Sequence, residues 1–144
     1  KEITRADVER AVDIAQGTEF ISKLEEGLDS KIAQSGSNIS GGQKQRLAIA
    51  RAVAREPEIL IFDDSFSALD YKTDKELRKR LSEDLQGTTC VIVAQRIGTI
   101  RHADKIIVLE DGRAVGIGTH EELMKNCSVY QEIALSQLSQ AELA

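Results

Sequence analysis

The stretch from Ser35 to Arg51 constrains the fold most, because it joins a polar, glycine-containing turn directly to an apolar helix. Ser40 is a natural N-cap, and Gln43 stands at capping-box spacing from it. Gly41 and Gly42 occupy the first helical positions, although each glycine costs a helix about 1 kcal/mol relative to alanine. Backbone N–H groups in a first helical turn lack helical partners and attract anions. The segment predicts an anion-binding helix start, with an ordinary capped helix as the alternative.

Composition narrows the class of protein. A chain of 144 residues, 41% hydrophobic and 30% charged, is long enough for one domain with a core. Its net charge of −5 argues against binding nucleic acid or an anionic membrane through bulk electrostatics. Cys90 and Cys127 lack paired or metal-ligand spacing and indicate reduced thiols of a cytosolic protein. The apolar runs are too short to cross a bilayer, and a first residue of Lys1 rather than Met suggests a piece of something larger.

Two short apolar runs predict parallel strands. Ile59–Phe62 is unbroken and is expected to be buried on both faces, as strands under helices are. Asp63 and Asp64 follow at its carboxyl end, the edge where open α/β sheets bind ligands. Thr88–Val93 predicts a second buried strand, which leads into Gln95. The sequence therefore predicts an α/β fold with polar side chains gathered at one sheet edge.

Helical periodicity and turn residues fill in the rest of the chain. The helix after Ser40 is apolar on nearly all sides and is expected to be buried and to stop before Pro57. Asp111-Gly112 predicts a tight hairpin between two apolar runs. The remaining predicted helices begin near Thr4, Thr18 (ending at Leu24), Asp70, Ile97, Thr119 and Val129.

Four segments in order carry a family resemblance. Ile39-Ser40-Gly41-Gly42-Gln43, with Lys44-Gln45-Arg46 after it, closely resembles the signature motif of ATP-binding-cassette (ABC) ATPases. Ile59–Asp63 looks like the Walker B strand of that family, and Ser67–Asp70 matches its D-loop. Gly118–Leu123 is similar to a stretch common after the core in transporter members. The chain thus resembles the carboxyl half of an exporter-like ABC transporter nucleotide-binding domain.

The resemblance implies an α/β fold: a partial P-loop NTPase (RecA-like) parallel sheet with flanking helices and part of the helical subdomain. Residues 1–56 would form the helical subdomain and signature helix, and residues 57–144 the core sheet and C-terminal helices. The Walker A sequence is absent from the 144 residues. We therefore expect the isolated chain to be inactive and to bind ATP weakly. Without the Walker A strand and helix, an apolar surface and an unpaired edge would remain, so we also expect it to self-associate.

The resemblance also implies roles for particular residues. The γ-phosphate of an ATP bound by the opposite subunit would be held by Ser40, Gly41, Gly42 and Gln43. Asp63 would act on Mg²⁺, directly or through water. Asp70 would lie at the subunit interface near the other nucleotide, with a plain helix N-cap as an equally weighted alternative.

Two catalytic positions depart from the family pattern. Asp64 stands where the general base is normally Glu, and the lost methylene withdraws the carboxylate by about 1.5 Å; a misplacement of about 1 Å can cost about 100-fold in rate. Gln95 follows the second predicted strand, at the position called the switch, where the family usually has His. Unlike His, Gln cannot carry a proton in the neutral pH range. Both changes fall on one composite site, whereas the signature is intact apart from Ile39.

These departures lead to the hypothesis that the parent protein is one half of a heterodimeric exporter. That exporter would have one degenerate ATP site and one hydrolysing ATP site. The parent protein would work with a second nucleotide-binding domain and a transmembrane domain, at the cytoplasmic face of the cell membrane, using ATP and Mg²⁺. A DNA-repair or chromosome-maintenance ABC ATPase is a competing interpretation, against which stand the net charge and the lack of heptads. A phospho-receiver signalling domain is another, but its second strand would end in an acceptor Asp rather than in Val93-Ala94-Gln95.

Overall fold

The chain divides into two units between Val93 and Ala94, and the computed structural model describes residues 2–137. The first unit contains, in chain order, α1 (Arg5–Ile14), α2 (Thr18–Ser22), α3 (Gly41–Val53), β1 (Ile59–Asp63), α4 (Tyr71–Asp84) and β2 (Thr89–Val93). The second contains α5 (Ile97–Ile100), β3 (Ile106–Glu110), β4 (Arg113–Gly118), α6 (His120–Asn126) and α7 (Ser128–Gln137). The predicted boundary at residues 56 and 57 within the domain stays a prediction.

In the first unit β1 and β2 pair in parallel, as predicted, with Ile59 opposite Thr89 and Asp63 opposite Val93. The connection between them runs through α4, since parallel strands need a crossover. Side chains alternate along β1, and its inward-facing residues, Leu60 and Phe62, are only 4% and 2% exposed. They belong to an apolar core shared with α1, α3 and α4.

The predictions that β1 is buried on both faces and that β2 is a buried strand are wrong. Ile59 and Ile61 are 63% and 68% exposed, and Val91 and Val93 are also exposed. Residues opposite each other in a parallel pair project from the same side of the sheet, so these four side chains form one surface, here called the open sheet face. Within the first unit the helical core covers only the side that carries Leu60.

The helix α3 is also less buried than its composition predicts. It begins after Ser40 and ends before Pro57, as expected, but its buried residues are confined to one stripe, Ile49, Ala50 and Val53. Apolar composition alone does not reveal that α3 packs against α1 along one side only. The second predicted helix is shorter than expected, since α2 ends at Ser22 rather than Leu24.

The second unit is organised around the hairpin that Asp111-Gly112 predicted. Both turn residues have left-handed φ, 48° and 75°, which suits the twist of an antiparallel pair. A register shift interrupts the β3–β4 ladder between Val108 and Leu109. The capping box at Thr119 starts α6, and the core of this unit centres on the fully buried ring of Tyr130.

Tyr130 hydrogen-bonds to a histidine. Its hydroxyl lies 2.8 Å from His120 Nδ1, and the two rings meet edge to face with centroids 5.7 Å apart. Burial is the main reason that the pKa of His120 is lowered, and the positive charges of Arg101 and His102 act in the same direction. Folding therefore favours the neutral imidazole.

This predicts a pH dependence of stability. Because the folded pKa of His120 lies below the unfolded value, the unfolded chain binds the proton first, and the free energy of unfolding decreases as pH falls below about 6.5. His120→Gln should flatten that dependence in urea titrations at several pH values. His102→Gln is the matched control, and an equal flattening by that variant would contradict the assignment.

The open sheet face predicts self-association of the chain at tens of micromolar, measured by sedimentation velocity as a dimer or larger species. Ile61→Lys places a charge in that face and should weaken association at least about ten-fold, since burying one isoleucine contributes about 1.5–3 kcal/mol. Tyr71→Ser, which removes a 70% exposed side chain outside the open sheet face, is the control. A monomeric wild-type chain would show that this face does not drive association.

Candidate functional site

The start of α3 has the predicted cap. Ser40 is extended (φ −69°, ψ 162°), its Oγ accepts from the backbone N–H of Gln43 at 3.2 Å, and Gln43 Oε1 accepts from the backbone N–H of Ser40 at 2.9 Å. The N–H groups of Gly41 and Gly42 stand in the first turn, without partners in their own helix. The cap thus fixes the first turn of α3 with the N–H groups of Gly41 and Gly42 directed away from the helix, at its N-terminal end.

Residues 65–70, here called the 65–70 loop, pack across this helix start. A Cβ added at Gly42 would lie 3.0 Å from the carbonyl oxygen of Ala68, whereas one at Gly41 would lie 3.7 Å from the Ala68 Cβ. The loop is anchored by Phe66, which is buried and stacks at a tilt on Phe62 with ring centroids 5.2 Å apart. Glycine at position 42 therefore permits the close approach of loop and helix.

A side chain that sequence reasoning did not single out joins these parts. Gln45, on the second turn of α3, accepts from the Ala68 N–H through Oε1 at 2.9 Å. Its Nε2 donates to the carbonyl oxygen of Asp64 at 3.2 Å and to Ser67 Oγ at 3.0 Å. Nothing in the sequence indicates these contacts, because the partners lie 19 to 23 positions away. The signal that could have suggested a role is that Gln45 lies in Lys44-Gln45-Arg46, which continues the segment resembling the signature motif.

Asp63 and Asp64 lie at the carboxyl end of β1, as the sequence predicted, and both are exposed. The backbone N–H of Asp64 donates to the carbonyl oxygen of Val93 at 3.2 Å, extending the ladder one step beyond β1. Asp64 has φ 49°, a left-handed conformation that Asp adopts more readily than longer side chains do. The end of β1 is thus fixed by backbone bonds while both carboxylates face solvent.

The carboxylates at this end of β1 suit an Mg²⁺ ion that takes most of its ligands from water and from the phosphates of a substrate. The described residues, 2–137, contain no group of three or more His, Cys, Asp or Glu side chains able to hold a metal. Mg²⁺ commonly takes one or two carboxylates and completes its shell with water and substrate phosphates. An exposed Asp63 carboxylate meets that requirement, and a dedicated metal site of several protein ligands does not exist in this part of the chain.

Asp70 is a helix N-cap. Its carboxylate accepts from the Thr73 hydroxyl at 2.7 Å and from the Thr73 N–H at 3.0 Å, at the start of α4. These hydrogen bonds lower the pKa of Asp70 below its ordinary value, and the bond from the Thr73 hydroxyl contributes most to that shift. The cap role that the sequence left open is therefore present, and it fixes the far end of the 65–70 loop.

Gln95 belongs to the second unit. Its side chain is exposed, and its backbone carbonyl accepts from Gln137 Nε2 at 2.8 Å, while Gln137 Oε1 accepts from the N–H of Ile97 at 2.9 Å. The structure therefore brings together the start of α3, the 65–70 loop and the end of β1, all within the first unit, and places Gln95 on a segment held by α7. The sequence analysis also did not predict that the Gln137 side chain would bridge the Gln95 carbonyl and the Ile97 N–H.

Comparisons with known proteins agree with the motifs. A family model described as ABC transporter matches residues 4–67. A putative ABC transporter ATP-binding protein of Mycoplasma genitalium is 48% identical over 90% of this chain and 21% of its own length. The ATP-dependent lipid A-core flippase of Vibrio vulnificus is 42% identical over 90% of this chain and 22% of that protein.

A solved structure, that of a bacterial Atm1-family ABC exporter with ATP bound, superposes with a TM-score of 0.91 at 34% identity, over 97% of this chain and 25% of that one. The class of fold is therefore the predicted one, a mixed α/β part of a P-loop NTPase. The resemblance to the nucleotide-binding domain of an ABC exporter is likewise confirmed. The chain spans about a fifth to a quarter of the length of these relatives. In residues 2–137 we find no helix with the length and apolarity needed to cross a membrane.

The contact between Gly42 and the 65–70 loop yields a prediction on stability. Gly41→Ala should stabilise the chain by up to about 1 kcal/mol, because alanine favours helix. Gly42→Ala should destabilise it by about 1 kcal/mol or more, because the new methyl must displace the Ala68 carbonyl. Urea unfolding of both variants measures the difference, and equal stabilities would contradict the close packing described here.

Proposed function

We propose that this chain is part of the ATP-hydrolysing domain of an ABC exporter, whose domains dimerise around ATP to drive transport. The observation that carries the proposal is the start of α3. There a capping box and two glycines leave backbone donors in the first turn, and Gln45 links this helix to the end of β1, where Asp63 and Asp64 are exposed. The structural likeness to an ATP-bound exporter supports it.

The α3 start is assigned to the nucleotide of a second subunit. Ser40 Oγ uses a lone pair in the cap, so its hydroxyl hydrogen is available to an outside acceptor. The first-turn N–H groups of Gly41 and Gly42 and the positive end of the helix dipole add to this. In this assignment four residues would bind the γ-phosphate of the partner's ATP: Ser40, Gly41, Gly42 and Gln43. They would do so by hydrogen bonds that need no proton transfer.

The chain's own nucleotide would meet the end of β1. Asp63 would hold Mg²⁺, which when bound neutralises phosphate charge. Asp64 would orient the attacking water with a carboxylate one methylene shorter than glutamate, and Gln95 would donate a hydrogen bond toward phosphate. Asp70 would stand at the subunit interface through its place at the end of the 65–70 loop. In this assignment the site that uses Asp64 and Gln95 is slow, and the site that uses the α3 start of this chain is competent.

The proposed partners follow from this division of labour. A second nucleotide-binding domain with an intact base and switch histidine would make a heterodimer, and a transmembrane domain would carry the transport path. The assembly would present this domain at the cytoplasmic face of the cell membrane. The transported substrate is selected by membrane segments and is not assigned.

The proposal is tested by replacing Asp64 and Gln95, the two residues that depart from the family pattern, with the residues usual in the family. In the complete heterodimer, the pair Asp64→Glu and Gln95→His should raise ATP turnover, because it supplies a longer base and a protonatable switch residue. Ser40→Ala in the same chain is the opposing variant and should lower turnover by disturbing the competent site. The left-handed φ at position 64 disfavours glutamate, so thermal stability is measured alongside. Unchanged turnover in a stable double variant would remove the basis for calling the site degenerate.

A further inference from the structure

The amide of Gln45 uses all of its hydrogen-bonding groups on one short stretch of chain. A glutamine offers one carbonyl oxygen and two N–H hydrogens. Here the oxygen accepts from the Ala68 N–H, and Nε2 donates to the Asp64 carbonyl and to Ser67 Oγ. The reverse orientation of the amide would set two donors against each other at Ala68, so the hydrogen-bond pattern defines a single orientation.

The partners of Gln45 belong to two different parts of the proposed machinery. Asp64 follows β1 and sits in the chain's own ATP site, whereas Ala68 packs directly on Gly42 in the α3 start. Ser67 closes the arrangement, since its hydroxyl also donates to the Asp64 carbonyl at 3.1 Å. One side chain therefore fixes the distance between the end of β1, the 65–70 loop and α3.

We propose that Gln45 is a positioning residue that couples the two ATP sites, a role that rests on the proposed function above. A shift of the β1 end changes the Asp64–Gln45 bond, and the same amide moves the 65–70 loop against Gly42. Gln45 itself touches no nucleotide in this assignment. It acts by keeping the donors of the α3 start and the carboxylates of β1 in one fixed relation.

The chemistry predicts how substitutions should rank. Gln45→Ala removes all three hydrogen bonds. Gln45→Glu keeps an acceptor for the Ala68 N–H but cannot donate to the Asp64 carbonyl, so it separates the loop contact from the β1 contact. Ser67→Ala removes one partner only and leaves both backbone contacts of Gln45 in place.

The test uses the complete transporter and two readouts. Steady-state ATPase assays should show kcat reduced about ten-fold or more in Gln45→Ala, with KM for ATP changed less than about two-fold, because misplacement affects the transition state more than binding. Gln45→Glu should fall between wild type and Gln45→Ala, and Ser67→Ala should have a smaller effect. Arg51→Ala, an exposed residue further along α3, is the matched control and should change neither parameter.

Amide hydrogen exchange of the peptide containing Ala68 is the second readout. Exchange should be faster in Gln45→Ala than in wild type and in Arg51→Ala, since the Ala68 N–H loses its acceptor. Unchanged exchange would overturn the contact, and faster exchange with unchanged kcat would overturn the coupling and leave Gln45 a loop contact only. If the wild-type transporter hydrolyses no ATP, the proposed function fails, and the exchange result still decides whether Gln45 holds the loop.

Discussion

The packing of the 65–70 loop across the start of α3 is the constraint on which the rest of the site depends. It favours glycine at position 42, because a Cβ there would lie only 3.0 Å from the Ala68 carbonyl oxygen and the loop backbone would have to shift. It also uses the donor and the acceptor of Gln45, because the Ala68 N–H would otherwise lose its acceptor and the Asp64 carbonyl would keep only the bond from the Ser67 hydroxyl. The helix cap, the acidic end of β1 and the loop therefore form one connected structure rather than three separate motifs.

The same contact connects the α3 start to Asp64, one of the two positions that depart from the family pattern. The α3 start keeps the cap geometry and the glycines that anion binding needs, while the end of β1 carries a shortened carboxylate at Asp64. Asp64 also has a left-handed backbone conformation that short acidic side chains tolerate well. Under the proposed function, the shorter carboxylate at Asp64 and the donor set of the α3 start serve different ATP sites but belong to a single unit of structure.

Local rules predicted much of this fold. The helix starts at Thr4, Ser40 and Thr119 and the hairpin turn at Asp111-Gly112 were found where the sequence placed them, because their hydrogen bonds and φ angles involve residues close in the chain. Burial was predicted less well. Ile59 and Ile61 read as buried, but hydrophobicity says only that a side chain favours apolar surroundings and not whether an element covers it.

The sequence by itself determined the order of the elements, the parallel pairing of two strands ending in polar residues, and the family that the motifs resemble. The tertiary structure decided which side of the sheet is covered and that Gln45 joins α3 to residues far along the chain. The physical reason is the range of the interactions. Caps and turns are fixed within a few residues, whereas a side-chain amide finds its partners only after strands and helices have packed.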